Sequence, residues 1–230
     1  MIDPRPWLEH LRRHLPIARE GSDPEGVHQA RVAARRLRVW LELAGMRALD
    51  HDLAWLVRGA GRVRDLEVLL SSPQPKAFAA WLERELQEAR AALLPMLGSP
   101  RTAALLRALS ALPPVPIPEA EARLPRLERR LRRKAALWAR EDTLEALHAV
   151  RKALRRLRYA REWLEHDTGD LKQLQDALGR VGDLGFTLAY LERFAQQGGK
   201  VSPAHRRRLE GDLQRALEGA REGWGEAGGW

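Results

Sequence analysis

The chain has 230 residues, 44% of them hydrophobic and 31% charged, with 40 Lys plus Arg set against 31 Asp plus Glu for a formal charge of +9. That length allows a sizeable core, and a composition rich in Leu, Ala, Arg and Glu with only two Tyr and three Phe argues for packed helices and against a β-rich fold. The absence of cysteine excludes disulfides, thiolate metal sites and cysteine catalysis.

In chain order, apolar periodicity and turn chemistry predict helices over 5–20, 24–45, 49–70, 75–97 and 101–111, then a second set over 121–141, 143–166, 168–197 and 202–222. Asp23 is placed to cap a helix opening with Pro24, and Asp142 or Thr143 to cap its counterpart. Gly45, Gly98 and Gly198-Gly199 stand where helices should stop. Between the sets, Leu112-Pro113-Pro114-Val115-Pro116-Ile117-Pro118 reads as a stiff extended connector, because four prolines so close together cannot be helical. The expected organisation is one domain: a first repeat at 1–111, a linker at 112–118, a second repeat at 119–222, and a flexible Gly/Trp tail at 223–230. Met1-Ile2-Asp3-Pro4-Arg5 lacks the plan of a signal peptide and no apolar run reaches membrane-spanning length, so a cytoplasmic protein is expected.

The repeat has a spacing of about 120 residues. His28-Gln29-Ala30-Arg31-Val32-Ala33-Ala34-Arg35-Arg36-Leu37-Arg38 returns as His148-Ala149-Val150-Arg151-Lys152-Ala153-Leu154-Arg155-Arg156-Leu157-Arg158. Leu11-Arg12-Arg13 matches Leu131-Arg132-Arg133, and, with a shift of two residues, Arg62-Val63-Arg64-Asp65-Leu66 matches Arg180-Val181-Gly182-Asp183-Leu184.

At about 100° per residue, Arg31, Arg35 and Arg38 fall on the side of His28, and Ala30, Ala34, Leu37, Leu41 and Ala44 gather opposite. From His148 the same wheel puts Arg151, Arg155 and Arg158 in front. Neither window contains an Asp or Glu. Solvated helix faces usually mix signs, because like charges at i, i+4 repel, so two stripes without acids point to an anionic partner able to make bidentate contacts with guanidinium groups. Arg126, Arg129, Arg130 and Arg133 lie opposite an apolar side of Leu124, Leu127, Leu131, Ala135 and Trp138. Arg13 occupies the place of Arg133 in the first half, so each basic front draws on two helices. A bound anion would raise the imidazole pKa of His28 and His148, and affinity is then expected to rise as pH falls from about 7.5 to about 5.5.

These residues carry a resemblance. The pattern H-x-x-R-x-x-x-R-R-L-R on a helix, present twice and followed each time by an R-x-(R/G)-D-L element, is similar to the CHAD (conserved histidine α-helical domain) family over nearly the whole length. The resemblance implies an all-α fold of two four-helix-bundle halves, related by internal pseudo-twofold symmetry around a basic central groove or pore. The implied ligand is inorganic polyphosphate, bound without catalysis or cofactor. The implied contact residues are His28, Arg31, Arg35, Arg36 and Arg38 in the first half, and His148, Arg151, Lys152, Arg155, Arg156 and Arg158 in the second. Arg13 and Arg133 join them from the preceding helices. Gly182 departs from the Arg at 64, which makes the two halves unequal there. A monomer is expected, without membrane association, at polyphosphate granules where these form. Glu119-Ala120-Glu121-Ala122-Arg123 imitates the E-x-E-x-K signature of CYTH enzymes but ends in Arg and lacks flanking strands.

Other signals read as structural. Asp65 and Asp183, beside Arg62 and Arg180, suit ion pairs that orient an arginine. His51-Asp52 and His166-Asp167 lack the further ligands of a metal centre, and no metal is expected. Gly59-Ala60-Gly61 follows no strand and is no dinucleotide loop. Trp7, Trp40, Trp55, Trp81, Trp138 and Trp163 lie mainly on apolar sides and are expected in the core. Nucleic acid is the alternative polyanion, although no helix-turn-helix, zinc finger or aromatic RNA platform is present. A polyphosphate or triphosphate hydrolase would need carboxylates for Mg²⁺ near the stripes, which contain none.

Overall fold

A computed structural model describes residues 1–226. The fold is all-α, with helices α1 (Arg5–Glu20), α2 (Pro24–Leu43), α3 (Asp50–Leu70), α4 (Lys76–Leu97), α5 (Pro100–Ser110), α6 (Ile117–Glu121), α7 (Leu124–Glu141), α8 (Leu144–Trp163), α9 (Gly169–Gln196) and α10 (Pro203–Glu226). Two compact units divide the chain between Arg123 and Leu124. No helix among the described residues is long and apolar enough to cross a membrane.

In the first unit, α1 packs on α2, α2 on α3 and α3 on α4, with α5 against α1, α3 and α4. In the second, α7 packs on α8, α8 on α9 and α9 on α10. The apolar stripes read from the sequence form these contacts. Leu8, Leu11, Leu15 and Ala18 of α1 are buried, as are Leu127, Leu131, Ala135 and Trp138 of α7. The buried positions of α8 (Ala146, Leu147, Val150, Ala153, Leu154, Leu157, Tyr159, Ala160) each lie 120 residues after a buried position of α2 (Gly26, Val27, Ala30, Ala33, Ala34, Leu37, Val39, Trp40). One helix face is therefore used twice.

The caps explain why the basic helices start where they do. The Asp23 carboxylate accepts from Glu25 N at 2.8 Å with Pro24 in the first turn, and Thr143 Oγ1 accepts from Ala146 N at 3.2 Å. Asp142, the other candidate cap, sits at φ 47° and instead accepts two hydrogen bonds from Arg221 of α10, each 2.7 Å.

The proline-rich segment departs from an extended connector. Ile2 and Val115 exchange backbone hydrogen bonds of 2.8 and 3.0 Å, and α6 begins at Ile117. Pro118 is tolerated there because the first helical turn has no use for its missing N–H. Ala120 is fully buried, and Arg123 donates to the carbonyls of Leu43 at 3.0 Å and Glu119 at 2.6 Å. That guanidinium lies against Gly45, where a β-carbon would stand 2.7 Å from Nη2, and satisfies a carbonyl at the end of α2. At the other end, Gly223, Trp224 and Gly225 extend α10, and Trp224 meets Trp138 edge-on at 6.2 Å. Trp230 and the rest of 227–230 lie outside the described residues.

Trp40, Trp81 and Trp138 are buried, and Trp40 donates from its indole N–H to Ile2 O at 3.2 Å. Trp7 and Trp55 are only partly covered; their free ring faces carry the guanidinium groups of Arg36 and Arg101, at 4.2 and 4.4 Å.

Candidate functional site

The fronts of α2 and α8 carry the same constellation. His28 and His148 lie in the second turn, half-buried, followed by partly exposed Arg31 and Arg35, and by Arg151 and Arg155. Lys152, Arg13 and Arg133 are exposed and make no ion pair among the described residues. Burial lowers the His28 pKa, reinforced by Arg64, Arg35 and Arg31 and opposed by Glu25. His148 is driven down to about 4, by burial first and then by Lys152, Arg151 and Arg155. Both imidazoles are therefore neutral near pH 7, each able to donate one hydrogen bond to an anion. Without ligand His148 refuses the proton between about pH 7.5 and 5.5, so the expected rise in affinity over that range depends on how far a bound anion raises the imidazole pKa.

One expectation is corrected: the stripes are not uncompensated, since acids from other parts of the sequence reach them. Arg31 meets Asp65 of α3 at 3.4 Å, and Arg151 meets Asp183 of α9 at 3.5 Å. These separations are at the long edge of hydrogen bonding, so the pairs are loose. Arg38, in contrast, donates twice to Asp50, at 2.8 and 3.1 Å. Arg158 donates to Glu162 at 2.5 Å and to Gln175 at 2.9 Å, with its guanidinium 4.9 Å from the Tyr159 ring. Arg36 is turned toward α1 and stacks on Trp7. The rows are thus graded. Arg31, Arg35, Arg151 and Arg155 surround the histidines, while Arg38 and Arg158, farther along their helices, are clamped.

Asp65 and Asp183 do orient arginines, but those of α2 and α8 rather than Arg62 and Arg180. Arg62 turns to Glu85 of α4 at 2.6 Å. The His51-Asp52 pair is held by Arg101, 2.8 Å from Asp52 Oδ1 and 3.2 Å from His51 Nδ1. Among the described residues no group of three or more His, Asp or Glu is placed to hold a metal ion.

A profile of the CHAD domain matches residues 5–184. The chain belongs to the CHAD family. The fold agrees: a crystal structure of the CHAD domain from the plant Ricinus communis is similar at a TM-score of 0.70 and 28% identity, over 94% of this chain and 87% of that one. PptA from Streptomyces chartreusis is similar in fold at a TM-score of 0.71 and 23% identity, over 97% and 95%. No curated protein matches the sequence.

Within this CHAD domain the departure at Gly182 has a geometric consequence. The Arg151 guanidinium lies against the bare Cα of Gly182, where a β-carbon would stand 1.9 Å from Nη1. Arg64, at the matching place in the first unit, instead faces Glu67 at 3.8 Å and adds its field to His28. Sequence reasoning missed a cavity of about 300 Å³ in the second unit, lined by Arg151, Arg155, Gln175, Asp176, Gly179, Arg180 and Asp183. Its signal was the i, i+4 spacing of Gln175, Gly179 and Asp183 on one face of α9, facing the arginines of α8.

Proposed function

We propose that this CHAD domain binds inorganic polyphosphate, or a closely similar polyanion, without catalysing its turnover, through the basic fronts of α2 and α8. The observation that carries the reading is a constellation built twice, His28 with Arg31 and Arg35 on α2 and His148 with Arg151, Lys152 and Arg155 on α8, all partly or fully exposed. Although Asp65 and Asp183 stand nearby, these cations and Arg64 of α3 add a positive field to the burial that lowers both imidazoles. A flexible polymer of phosphates needs such a field and many donors in place of base readout. The loose Arg31 and Arg151 pairs support it further, since incoming phosphate oxygens can replace a carboxylate at 3.4 to 3.5 Å with little loss. A cytoplasmic, monomeric protein acting at polyphosphate deposits belongs to the same reading.

The test is a titration of long-chain polyphosphate against single- and double-stranded oligonucleotides at matched charge and about 0.15 M salt. Polyphosphate should bind most tightly, and replacing Arg35 and Arg155 together by Glu should abolish that binding with helicity unchanged. Tighter nucleic-acid binding would make this a nucleic-acid protein; unchanged binding by the double variant would place the site on another face.

A further inference from the structure

The two basic fronts are built on the same plan, yet the second has an opening over its α9 helix. At Gly61 of the first unit, a β-carbon would lie 3.6 Å from Arg31 Nη2, so that arginine covers the glycine. At the matching Gly179, a β-carbon meets no atom within 4 Å. The difference traces to one residue. Gly182 has no side chain, and the Arg151 guanidinium occupies the space a side chain would need. In the first unit Arg64 stands at that position, and Arg31 lies over Gly61 instead.

The cavity floored by Gly179 has donors on both walls: Arg151 and Arg155 from α8, Arg180 and the Gln175 amide from α9. Arg180 makes no ion pair among the described residues and is exposed toward solvent. Two further residues differ between the halves. Gln175 replaces Val57, and Asp176 replaces Arg58. The lining has two carboxylates: Asp183 is paired with Arg151, whereas Asp176 makes no hydrogen bond or ion pair among the described residues and faces the donors of the other walls. A carboxylate repels a phosphate oxygen that carries no proton. It accepts a hydrogen bond from one that does.

Inside a polyphosphate chain each phosphorus bears a single strongly acidic oxygen and has no proton to give near neutral pH. A terminal phosphoryl group has a second ionisation near pH 6, as phosphate monoesters do, and keeps a hydroxyl over part of that range. At about 300 Å³ the cavity is at the small end of ligand sites, suited to a chain end of few phosphoryl groups and closed to a bulky one.

We propose that this cavity is a chain-end site: Arg151, Arg155, Arg180 and Gln175 hold the terminal phosphoryl oxygens, and Asp176 accepts the terminal hydroxyl. The assignment rests on the polyphosphate reading and adds that the second unit distinguishes chain ends from chain interiors.

Calorimetry on the full chain tests it with linear tripolyphosphate, cyclic trimetaphosphate (which has no ends), phenyl phosphate and long-chain polyphosphate. Linear tripolyphosphate should bind at least about tenfold more tightly than trimetaphosphate, and more tightly than phenyl phosphate, which lacks the neighbouring units. Gly179→Leu fills the cavity where nothing obstructs it and should weaken tripolyphosphate about tenfold, with trimetaphosphate unaffected and helicity intact. Asp176→Asn should narrow the linear-to-cyclic preference. Equal binding of linear and cyclic forms, equal binding of tripolyphosphate and phenyl phosphate, or an unchanged Gly179→Leu variant overturns the assignment. If wild-type protein binds long-chain polyphosphate in those cases, the chain-end site alone fails. If it binds no long-chain polyphosphate, the broader reading fails with it.

Discussion

Arg38 and Asp50 are joined by two hydrogen bonds, 2.8 and 3.1 Å long, that tie the last part of α2 to the first residue of α3. The pair is part-exposed, so its contribution to stability is about 1 kcal/mol or less. It also withdraws one guanidinium from the arginine row of α2. Asp50→Asn should cost less than about 1 kcal/mol in chemical denaturation and strengthen polyphosphate binding a few-fold. A plot of log affinity against log salt should steepen by up to about 0.7 for the charge released. Unchanged affinity and slope would mean that Arg38 plays no part in binding.

The histidines set a pH dependence of stability. In the unfolded chain their pKa is about 6.5, whereas in the folded chain His148 is held at about 4 and His28 is lowered. Below pH 6.5 the unfolded state takes up protons that the native state refuses, so stability present above that pH is lost as pH falls toward 4. For His148 the loss is on the order of 1 to 2 kcal/mol once screening at a half-buried site is allowed for. Thermal melts should show Tm falling across this window, and His148→Gln should flatten the fall.

Polyphosphate should reverse part of that effect. Its charge offsets the arginine field around the imidazoles, raising their pKa, so binding takes up protons between the free and bound values. Calorimetry in two buffers of different ionisation enthalpy should report uptake at pH 5.5 and none at pH 8. Equal heats in both buffers at pH 5.5 would remove the histidines from the coupling.

The crossing of α1 and α2 is set by Gly26, where a β-carbon would stand 2.4 Å from Ala18 N and 2.7 Å from Ile17 C. These are backbone atoms and cannot turn aside. Gly26→Ala should destabilise the protein by about 1 to 3 kcal/mol, read as a lowered Tm, even though alanine is the better helix former. Ala146 holds the matching place in α8, where the crossing with α7 accommodates its methyl.

Much of the fold was legible because helix and cap signals are local. The Asp23 and Thr143 caps, and the apolar faces of α2 and α8, follow from residues within one or two turns of each other. Compensation of the arginines was not legible for the opposite reason. Asp65 and Asp183 are 34 and 32 residues from the arginines they meet, and only the packing of α3 on α2 and of α9 on α8 brings them there. Arg36 was expected among the contact residues through the resemblance, yet its guanidinium lies over the ring of Trp7 on α1. The proline-rich segment was misleading in another way: its prolines forbid a long helix, but they allow the single turn of α6, and Val115 finds a backbone partner only through Ile2.

The stack of Arg36 on Trp7 places an indole 4.2 Å from a cation that adjoins Arg35 in the basic row of α2. Indole emission responds to the charge immediately above its ring, so under the proposed function Trp7 would serve as an intrinsic optical gauge of occupancy. A polyanion that draws Arg36 away should change the fluorescence, and comparison with Trp7→Phe would isolate that signal from the other tryptophans. Ligand could then be followed in real time with no dye attached and no label on the polymer.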